Sequence, residues 1–346
     1  MSVSTYAYVN ARIGGMKSYL LGEEDFRALI ESRNLGEVVS QLKNTRYSLD
    51  ISEPDVLSLE LQLKRSLYCD YLKLISCVKG RPKEFIHNIA RRFEVDSVKS
   101  IIKMKFLKIA LDEYLIPFGQ VSEEVIERLL KAEGVFGVIE ALKGTEYHEP
   151  LKTAHQMQGI KEEAVAAGEK DLPYLNALDI YYFTGVKYAM ERLSKKDRAM
   201  VRRFVGFNID ISNLLMALRL RGIEGDVEGY FIDGGDSFSL KHFNTVRKLE
   251  NMSRLSEVVP RRFGESVSKG VERYNEMKSL LFFELLTKKQ LLKESRKLFL
   301  GDRFHIGTII AYLNLKENEI SNLIKIIKTK DEFFTAKDIE ELLVFI

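Results

Sequence analysis

The fold is decided by two similar stretches, Asp210–Gly222, which reads DISNLLMALRLRG, and Glu319–Lys330, which reads EISNLIKIIKTK. The apolar residues of the first stretch that follow the i, i+3, i+4, i+7 spacing of one helix face are Ile211, Leu214, Leu215 and Leu218. The second stretch has apolar residues at the same four positions. Long alternating runs typical of strands are absent, and only six prolines interrupt the chain. The sequence therefore predicts an all-α fold.

A third copy of this element lies upstream, where Glu94-Val-Asp-Ser-Val98 is followed by KSIIKMK. The shared pattern is an acid, an apolar residue, a variable position, Asn or Ser, and an apolar residue. Bases recur nine and eleven positions after each acid. They are Lys103 and Lys105 in the first copy, Arg219 and Arg221 in the second, and Lys328 and Lys330 in the third.

A second element recurs independently of the first. Residues 35–47 read LGEVVSQLKNTRY, and residues 135–147, one hundred positions later, read VFGVIEALKGTEY. Both end in Thr-x-Tyr. A third version, Leu255–Val259, keeps the opening but continues as PRRFGES without that ending. The two elements alternate along the whole chain, which indicates an internal repeat.

The alternation predicts three homologous helical domains, bounded near residues 1–117, 118–235 and 236–346. A unit of this length can hold a small core of its own, whereas solenoid repeats of about 20–50 residues must stack to bury theirs. We therefore expect pseudo-threefold packing around an axis. The glycine-rich stretch from Gly222 to Ser237 is interpreted as a turn-rich connector rather than an ion-binding loop.

The composition of the 346 residues is that of an ordinary globular chain, with 45% hydrophobic and 30% charged residues. The net charge is only +3, whereas nucleic-acid-binding proteins usually show a clearer basic excess or stripe. No window approaches the roughly 18 consecutive apolar residues of a membrane span. Cys69 and Cys77 lie too far apart for a disulfide if one helix carries both.

No motif of catalysis is visible in the sequence. It has neither the G-x-x-x-x-G-K-[ST] phosphate loop nor a G-x-G-x-x-G fingerprint, and its five histidines lack metal-ligand spacing. Two cysteines without a C-x-x-C cannot make a structural zinc site alone. The sequence therefore predicts a protein with no catalytic residues, no metal site, no cofactor and no direct small-molecule substrate.

Two interpretations of the repeated basic pairs stay open. Lys or Arg at the end of a helix complements the helix dipole, which contributes about 0.3–1 kcal/mol. Alternatively, a threefold arrangement brings all six cations round one opening, where they would bind an acidic or carbonyl-rich partner. Asp210 and Glu319 are likewise open to interpretation as simple acids at helix starts.

With these repeats, the chain resembles the C subunit of A-type ATP synthases and is similar to the d subunit of vacuolar-type ATPases. The motifs that carry the resemblance run along nearly the whole chain. They are YAYVNARIGGMKSYLL (Tyr6–Leu21), LKNTRY, LNALDIYYF (Leu175–Phe183), GYFIDGG and FHIGTIIAYLNLKENEISNLIKIIK (Phe304–Lys328).

The resemblance implies a funnel of three related helical domains that is not itself an enzyme. It also implies a central-stalk rotor component, peripheral on the cytoplasmic face of the membrane, whose partners are the stalk subunits and the proteolipid ring. Two other classes remain: a helical scaffold unrelated to rotary ATPases, and a helical nucleic-acid-binding protein that uses the Lys and Arg pairs. Co-purification with a proteolipid ring and stalk subunits would exclude both.

Overall fold

The computed structural model describes residues 3–47, 55–110, 113–161, 170–223, 225, 227–330 and 334–345. These residues form α-helices, short 3-10 helices, and an isolated β-bridge between Phe118 and Val121, with no strand. The predicted all-α fold is confirmed. Within the described residues, no helix combines the length and the apolar character needed to cross a bilayer.

The helices lie in two compact units. Unit 1 comprises Met1–Ile86, Leu193–Phe204 and Leu285–Ile346, and unit 2 comprises His87–Arg192 and Val205–Glu284. The helices with residues in unit 1 are α1 (Val3–Lys17), α2 (Glu23–Glu31), α3 (Leu35–Leu42), α4 (Val56–Cys77), α5 (Gly80–Ala90), α11 (Lys195–Arg219), α15 (Leu281–Lys297), α16 (Gly307–Lys330) and α17 (Ala336–Leu342). Residues of α5, α11 and α15 also belong to unit 2. The predicted three-domain division and funnel remain predictions.

Unit 1 is built around α16, which packs along α4 and against α1. Helix α16 is buried on most of its circumference, through apolar residues such as Ile309 and Ile327 and through polar ones such as Lys316 and Asn322. The buried residues of α1 that face this core are Tyr6, Val9, Ile13 and Met16, at helical spacing. Asp55 begins α4 by accepting a hydrogen bond from Ser58 N at 2.9 Å.

Unit 2 contains the remaining helices. They are α6 (Arg92–Leu107), α7 (Glu123–Lys131), α8 (Gly134–Ala141), α9 (His148–Lys161), α10 (Leu172–Glu191), α12 (Leu240–Arg247), α13 (Leu255–Val258) and α14 (Gly264–Met277). Helix α10 packs on α9 and α6, and α8 packs on α6 and α7. The core among them includes Ile101, Leu129 and Tyr147.

The structure shows where two smaller features of the sequence lie. Cys69 and Cys77 both lie on α4 and are free thiols. The described residues between Gly222 and Ser237 form turns and a 3-10 helix at Glu228–Tyr230. Gly222, Gly225 and Gly234 have φ angles of 79°, 101° and 96° there, a conformation that residues with a Cβ rarely adopt.

Candidate functional site

The three repeated acids are buried. Glu94 on α6, Asp210 on α11 and Glu319 on α16 expose 1%, 0% and 4% of their surface. Only Glu94 lies in the first turn of its helix. The alternative interpretation of Asp210 and Glu319 as helix-start acids is wrong, because both lie well inside their helices. A buried carboxylate is costly unless donors surround it, so the repeat must supply them.

Glu94 receives its donors from the second repeated element. Tyr147 Oη donates to Glu94 Oε2 at 2.6 Å, and the backbone of Gln120 also hydrogen-bonds the carboxylate. Burial raises the pKa of Glu94, and the hydrogen bond from Tyr147 and the charge of Arg91 oppose that rise. A Cβ atom at Gly119 would overlap Glu94 Oε1, so the close approach of loop and carboxylate requires glycine.

Glu319 in unit 1 has the same kind of partner. Tyr47 Oη donates to Glu319 Oε1, and Leu21 N donates to Oε2 at 2.6 Å. The fully buried Lys316 adds an ion pair, with Nζ 2.8 Å from Glu319 Oε1. Tyr47 and Tyr147 therefore play equivalent roles, each closing on the acid of a different copy.

The local geometry of the two Thr-x-Tyr endings is also the same. Thr45 Oγ1 donates to Leu42 O at 2.7 Å, and Thr145 Oγ1 donates to Leu142 O at 2.7 Å. The threonine oxygens then accept the backbone N–H of the tyrosines, at 3.2 Å and 3.3 Å. This turn aims each tyrosine ring inward, which explains why threonine and tyrosine recur at this spacing.

Asp210 precedes the version of the second element that lacks the Thr-x-Tyr ending, Leu255–Val259, and its carboxylate receives different donors. Its carboxylate accepts Asp236 N at 3.0 Å, Ser237 N at 2.7 Å and Ser237 Oγ at 2.9 Å. Burial raises the pKa of Asp210, and the donors from Ser237 oppose that rise. A Cβ at Gly235 would overlap the Asp210 carboxylate, as at Gly119 beside Glu94.

The Asn or Ser three positions after each acid fixes the segment that follows its helix. Asn213 Nδ2 donates to Ile232 O at 2.8 Å, and Ile232 N donates back to Asn213 Oδ1 at 2.8 Å. Asn322 makes the same reciprocal pair with Val344, at 3.0 Å and 3.1 Å. Ser97 has no amide side chain, and its Oγ donates a long hydrogen bond to Ile116 O at 3.4 Å. The repeated motif is thus a folding device in all three copies.

Nothing about these carboxylates suggests chemistry on a substrate. Each is buried and held by donors from the chain itself. In the part of the chain that the structure describes, no group of three or more His, Cys, Asp and Glu side chains could hold a metal ion. The acids are best explained as structural centres, and partner binding has to be sought among the exposed charges.

The first two basic pairs lie in unit 2. Lys103 is exposed on α6, and Lys105 Nζ donates to Leu130 O at 2.7 Å. Arg219, the last residue of α11, forms an ion pair with Glu284 at 2.6 Å. Arg221 donates to Tyr274 Oη at 3.0 Å and its guanidinium lies 5.4 Å from the centre of that ring.

The third basic pair lies in unit 1. Lys328 Nζ is 3.2 Å from Glu60 Oε2, and Lys330 Nζ donates to Ile30 O at 2.5 Å. Partial burial lowers the pKa of Lys330. Five of the six predicted cations therefore have a partner within the chain, and each pair has different neighbours. Their arrangement around one opening remains a prediction.

Sequence reasoning missed a basic groove in unit 1, a cavity of about 760 Å³. Its cations are Lys17 at the end of α1 and, on α15, Lys289, Lys293 and Arg296. Apolar side chains, among them Phe26, Phe299 and Leu315, also line it. The i, i+4, i+7 spacing of the three α15 bases was visible in the sequence, but the contribution of α1 depends on long-range packing.

The described residues thus define an all-α protein in which three buried carboxylates, at equivalent positions of a repeated sequence element, accept hydrogen bonds from the chain's own donors. The chain belongs to the family described as ATP synthase (C/AC39) subunit, whose model matches residues 9–342. This match confirms the resemblance found in the sequence.

Curated relatives agree with this membership over nearly the full length. The chain is 27% identical to the A-type ATP synthase C subunit of Methanocaldococcus jannaschii, covering 99% of this chain and 87% of the relative. It is 27% identical to that of Methanococcoides burtonii, covering 95% and 91%. It is 25% identical to that of Halobacterium salinarum, covering 99% and 98%.

Proposed function

We propose that this chain is a non-catalytic rotor component of an A-type or V-type rotary ATPase. In this proposal it links the central stalk to the proteolipid ring and so couples ATP synthesis or hydrolysis to ion transport. It would lie on the cytoplasmic face of the membrane as a peripheral component. The observation that carries the proposal is the family match over residues 9–342, together with relatives named as the C subunit of A-type ATP synthases.

The packing of the chain is consistent with a mechanical role. A part that transmits torque must resist deformation, and buried polar networks with all members satisfied favour one rigid arrangement. The Lys316–Glu319–Tyr47 cluster fastens α16 to the segment after α3, and Asn322 fastens α16 to the segment after α17. In unit 2, Asp210 and Asn213 fasten α11 to the loop before α12.

The partner surface in this proposal includes the repeated basic pairs. Helix C-terminal carbonyls or carboxylates at the foot of a stalk would be held by Lys103, Lys105, Arg219, Arg221, Lys328 and Lys330. Exposed ion pairs contribute only about 0–1 kcal/mol each, so no single base should be essential. The set would act together, through electrostatic steering and several partly desolvated contacts.

Co-purification tests the function as a whole. The full chain, expressed with its neighbouring subunits, should isolate with both the stalk subunits and the proteolipid ring. Isolation with soluble partners alone would favour a helical scaffold. Binding to DNA or RNA with a steep dependence on salt would favour a nucleic-acid-binding protein instead.

A double substitution tests the basic pairs. Arg219→Ala with Arg221→Ala should weaken stalk binding and reduce its sensitivity to salt, with a slight fall in Tm. The matched control is Arg254→Ala with Lys269→Ala, two exposed bases of unit 2 that also have acidic partners. A Tm loss with unchanged stalk affinity would instead support the helix-dipole explanation.

Calorimetry tests the proposal that the chain is not catalytic. Since no phosphate-binding motif is present, titration of the purified chain with Mg-ATP should give no stoichiometric binding, and no phosphate should be released. Stoichiometric binding at about micromolar concentration would require a nucleotide site and contradict this part of the proposal.

A further inference from the structure

The basic groove of unit 1 has the features of a binding site rather than of an ordinary surface depression. At about 760 Å³ it falls within the range of about 300–1,000 Å³ typical of ligand sites. Its walls come from separate parts of the chain, the end of α1, the start of α2, α15, α16 and the residues after α17. The helices that form it are packed on the core of unit 1, so the groove is already formed.

Most of the charged side chains that line the basic groove are bases. Lys289, Lys293 and Arg296 follow one face of α15. Lys17 faces them from α1, with its Nζ 4.3 Å from the centre of the Phe299 ring. The acids among the described residues that line the groove are Glu23, which forms an exposed ion pair with Arg27, and Glu319, which is held by Tyr47, Lys316 and Leu21. Bases therefore outnumber acids by four to two in the described part of the lining.

A buried acceptor without a donor lies in the same wall. Asn318 lines the basic groove and is only 7% exposed. Its Nδ2 donates to Val344 O at 2.8 Å, which fixes the orientation of the amide. Its Oδ1 has no hydrogen-bond partner in the part of the chain that the structure describes. An unmet buried acceptor is unfavourable, and a ligand with an N–H group would satisfy it.

We propose that the basic groove binds an acidic segment of a partner protein that carries at least one large apolar side chain. Aspartate or glutamate side chains would pair with the α15 bases and Lys17. The apolar side chain would pack on Phe299 and Leu315, and a backbone N–H would reach Asn318 Oδ1. A protein segment fits these features better than a bilayer surface, because the groove is concave and its floor is apolar.

This surface differs from the repeated basic pairs, and the proposal does not depend on the rotary function. None of the six repeated bases lines the groove. The groove bases also lie on α1 and α15, outside both repeated sequence elements. A partner could therefore occupy the basic groove whether or not the repeated pairs contact a stalk.

The test uses the full chain and an array of short overlapping peptides that cover the proteins which co-purify with it. Affinities of the bound peptides are then measured by fluorescence anisotropy. The charge-reversed variant is Lys289→Glu with Lys293→Glu. The matched control is Lys43→Glu with Lys79→Glu, which makes the same change in net charge at exposed unit 1 positions outside the groove. Circular dichroism confirms that each variant is folded, and Lys289→Gln with Lys293→Gln replaces any that is not.

We expect the strongest peptides to be acidic and to contain Leu, Ile or Phe. Their Kd should rise about tenfold or more in the groove variant and change less than about twofold in the control, in keeping with several close charge pairs. Binding should also weaken with salt. Asn318→Leu should weaken the same peptides without altering their salt dependence.

Three results would overturn the proposal. One is that no peptide binds, and another is that the bound peptides are neutral or basic. The third is that vesicles of phosphatidylglycerol and phosphatidylcholine bind through the same bases more tightly than any peptide, which would make the groove a membrane contact. Failure here leaves co-purification with stalk and ring untouched, so the two proposals are tested separately.

Discussion

The buried ion pair of unit 1 gives the sharpest test of how the repeat is held together. Lys316 is 0% exposed, and its Nζ lies 2.8 Å from Glu319 Oε1. Breaking a buried pair by removing one partner costs about 3–5 kcal/mol, because the other charge is left in a poor environment. Glu319→Leu should therefore lower the free energy of unfolding by about that amount.

Replacing the lysine of the pair instead of the glutamate should cost less stability. Lys316→Met leaves Glu319 with two donors, Tyr47 Oη and Leu21 N. We expect a loss of about 1–2 kcal/mol for this variant, since one charge-assisted contact is removed and the carboxylate stays hydrogen-bonded. The double variant, Lys316→Met with Glu319→Leu, leaves no unpaired buried charge of this pair. Its cost comes from Tyr47 Oη and Leu21 N, which lose their acceptor. Its loss should be about 2 kcal/mol, well below the sum of the single losses.

Urea unfolding followed by far-ultraviolet circular dichroism measures these values, since the chain contains no tryptophan. The matched control is the exposed pair Lys269 and Glu265 on α14, which should show almost no coupling. Additive losses at Lys316 and Glu319 would refute the reasoning, because they would mean that the two side chains do not share a buried network.

The pH dependence adds an independent check. Burial lowers the pKa of Lys316, while Glu319 and Asp70 oppose this and Arg46 adds to it. Without Glu319, the pKa of Lys316 in the folded chain falls further. The unfolded chain, in which the pKa of a lysine is about 10.4, then binds more protons than the folded chain at pH values between the two pKa values. The penalty of Glu319→Leu should thus shrink as the pH rises toward about 10. A penalty that grows over this range would contradict the assignment.

Three further substitutions follow from the repeat geometry and the helix surface. Gly235→Ala should cost about 1–3 kcal/mol, because its Cβ would overlap Asp210, whereas Gly229→Ala meets no neighbouring atom and should be nearly neutral by urea unfolding. Asn322→Ala should cost about 2–3 kcal/mol for its reciprocal bonds, against at most about 1 kcal/mol for Ser97→Ala. Gly15→Ala, exposed within α1 with open space at its Cβ, should raise stability by about 1 kcal/mol, measured as a higher Tm.

The helices were predictable because their apolar spacing is a local property. In the stretch from Asp210 the predicted face is buried at Ile211, Leu214 and Leu218. The burial of the acids was not predictable in the same way. A single Asp before an apolar run is equally typical of a helix start. What identifies Asp210 as a buried acid is the hydrogen bond from Ser237, in a loop 27 positions later.

For the candidate binding surfaces, too, local features could be predicted from the sequence and long-range contacts could not. The repeated bases were found because sequence repeats place them at fixed spacing, but their partners, such as Glu284 for Arg219 and Glu60 for Lys328, lie far away in the chain. The basic groove was missed because no single segment contains it. Lys17 and Lys293 lie on different helices, α1 and α15, and only the tertiary fold of unit 1 brings both to one cavity.

The contacts of the acids also explain why the two repeated elements alternate. Each acid helix needs donors from a second segment, and Glu94 takes them from Tyr147, 53 positions later. Asp210 takes them from Ser237, 27 positions later and ahead of the third version of the second element, Leu255–Val259. For Glu319 the donors precede it in the sequence, with Tyr47 at a separation of 272 positions. The tyrosine is therefore present in the two second elements that contact an acid, whereas backbone N–H groups and a serine hydroxyl hold Asp210.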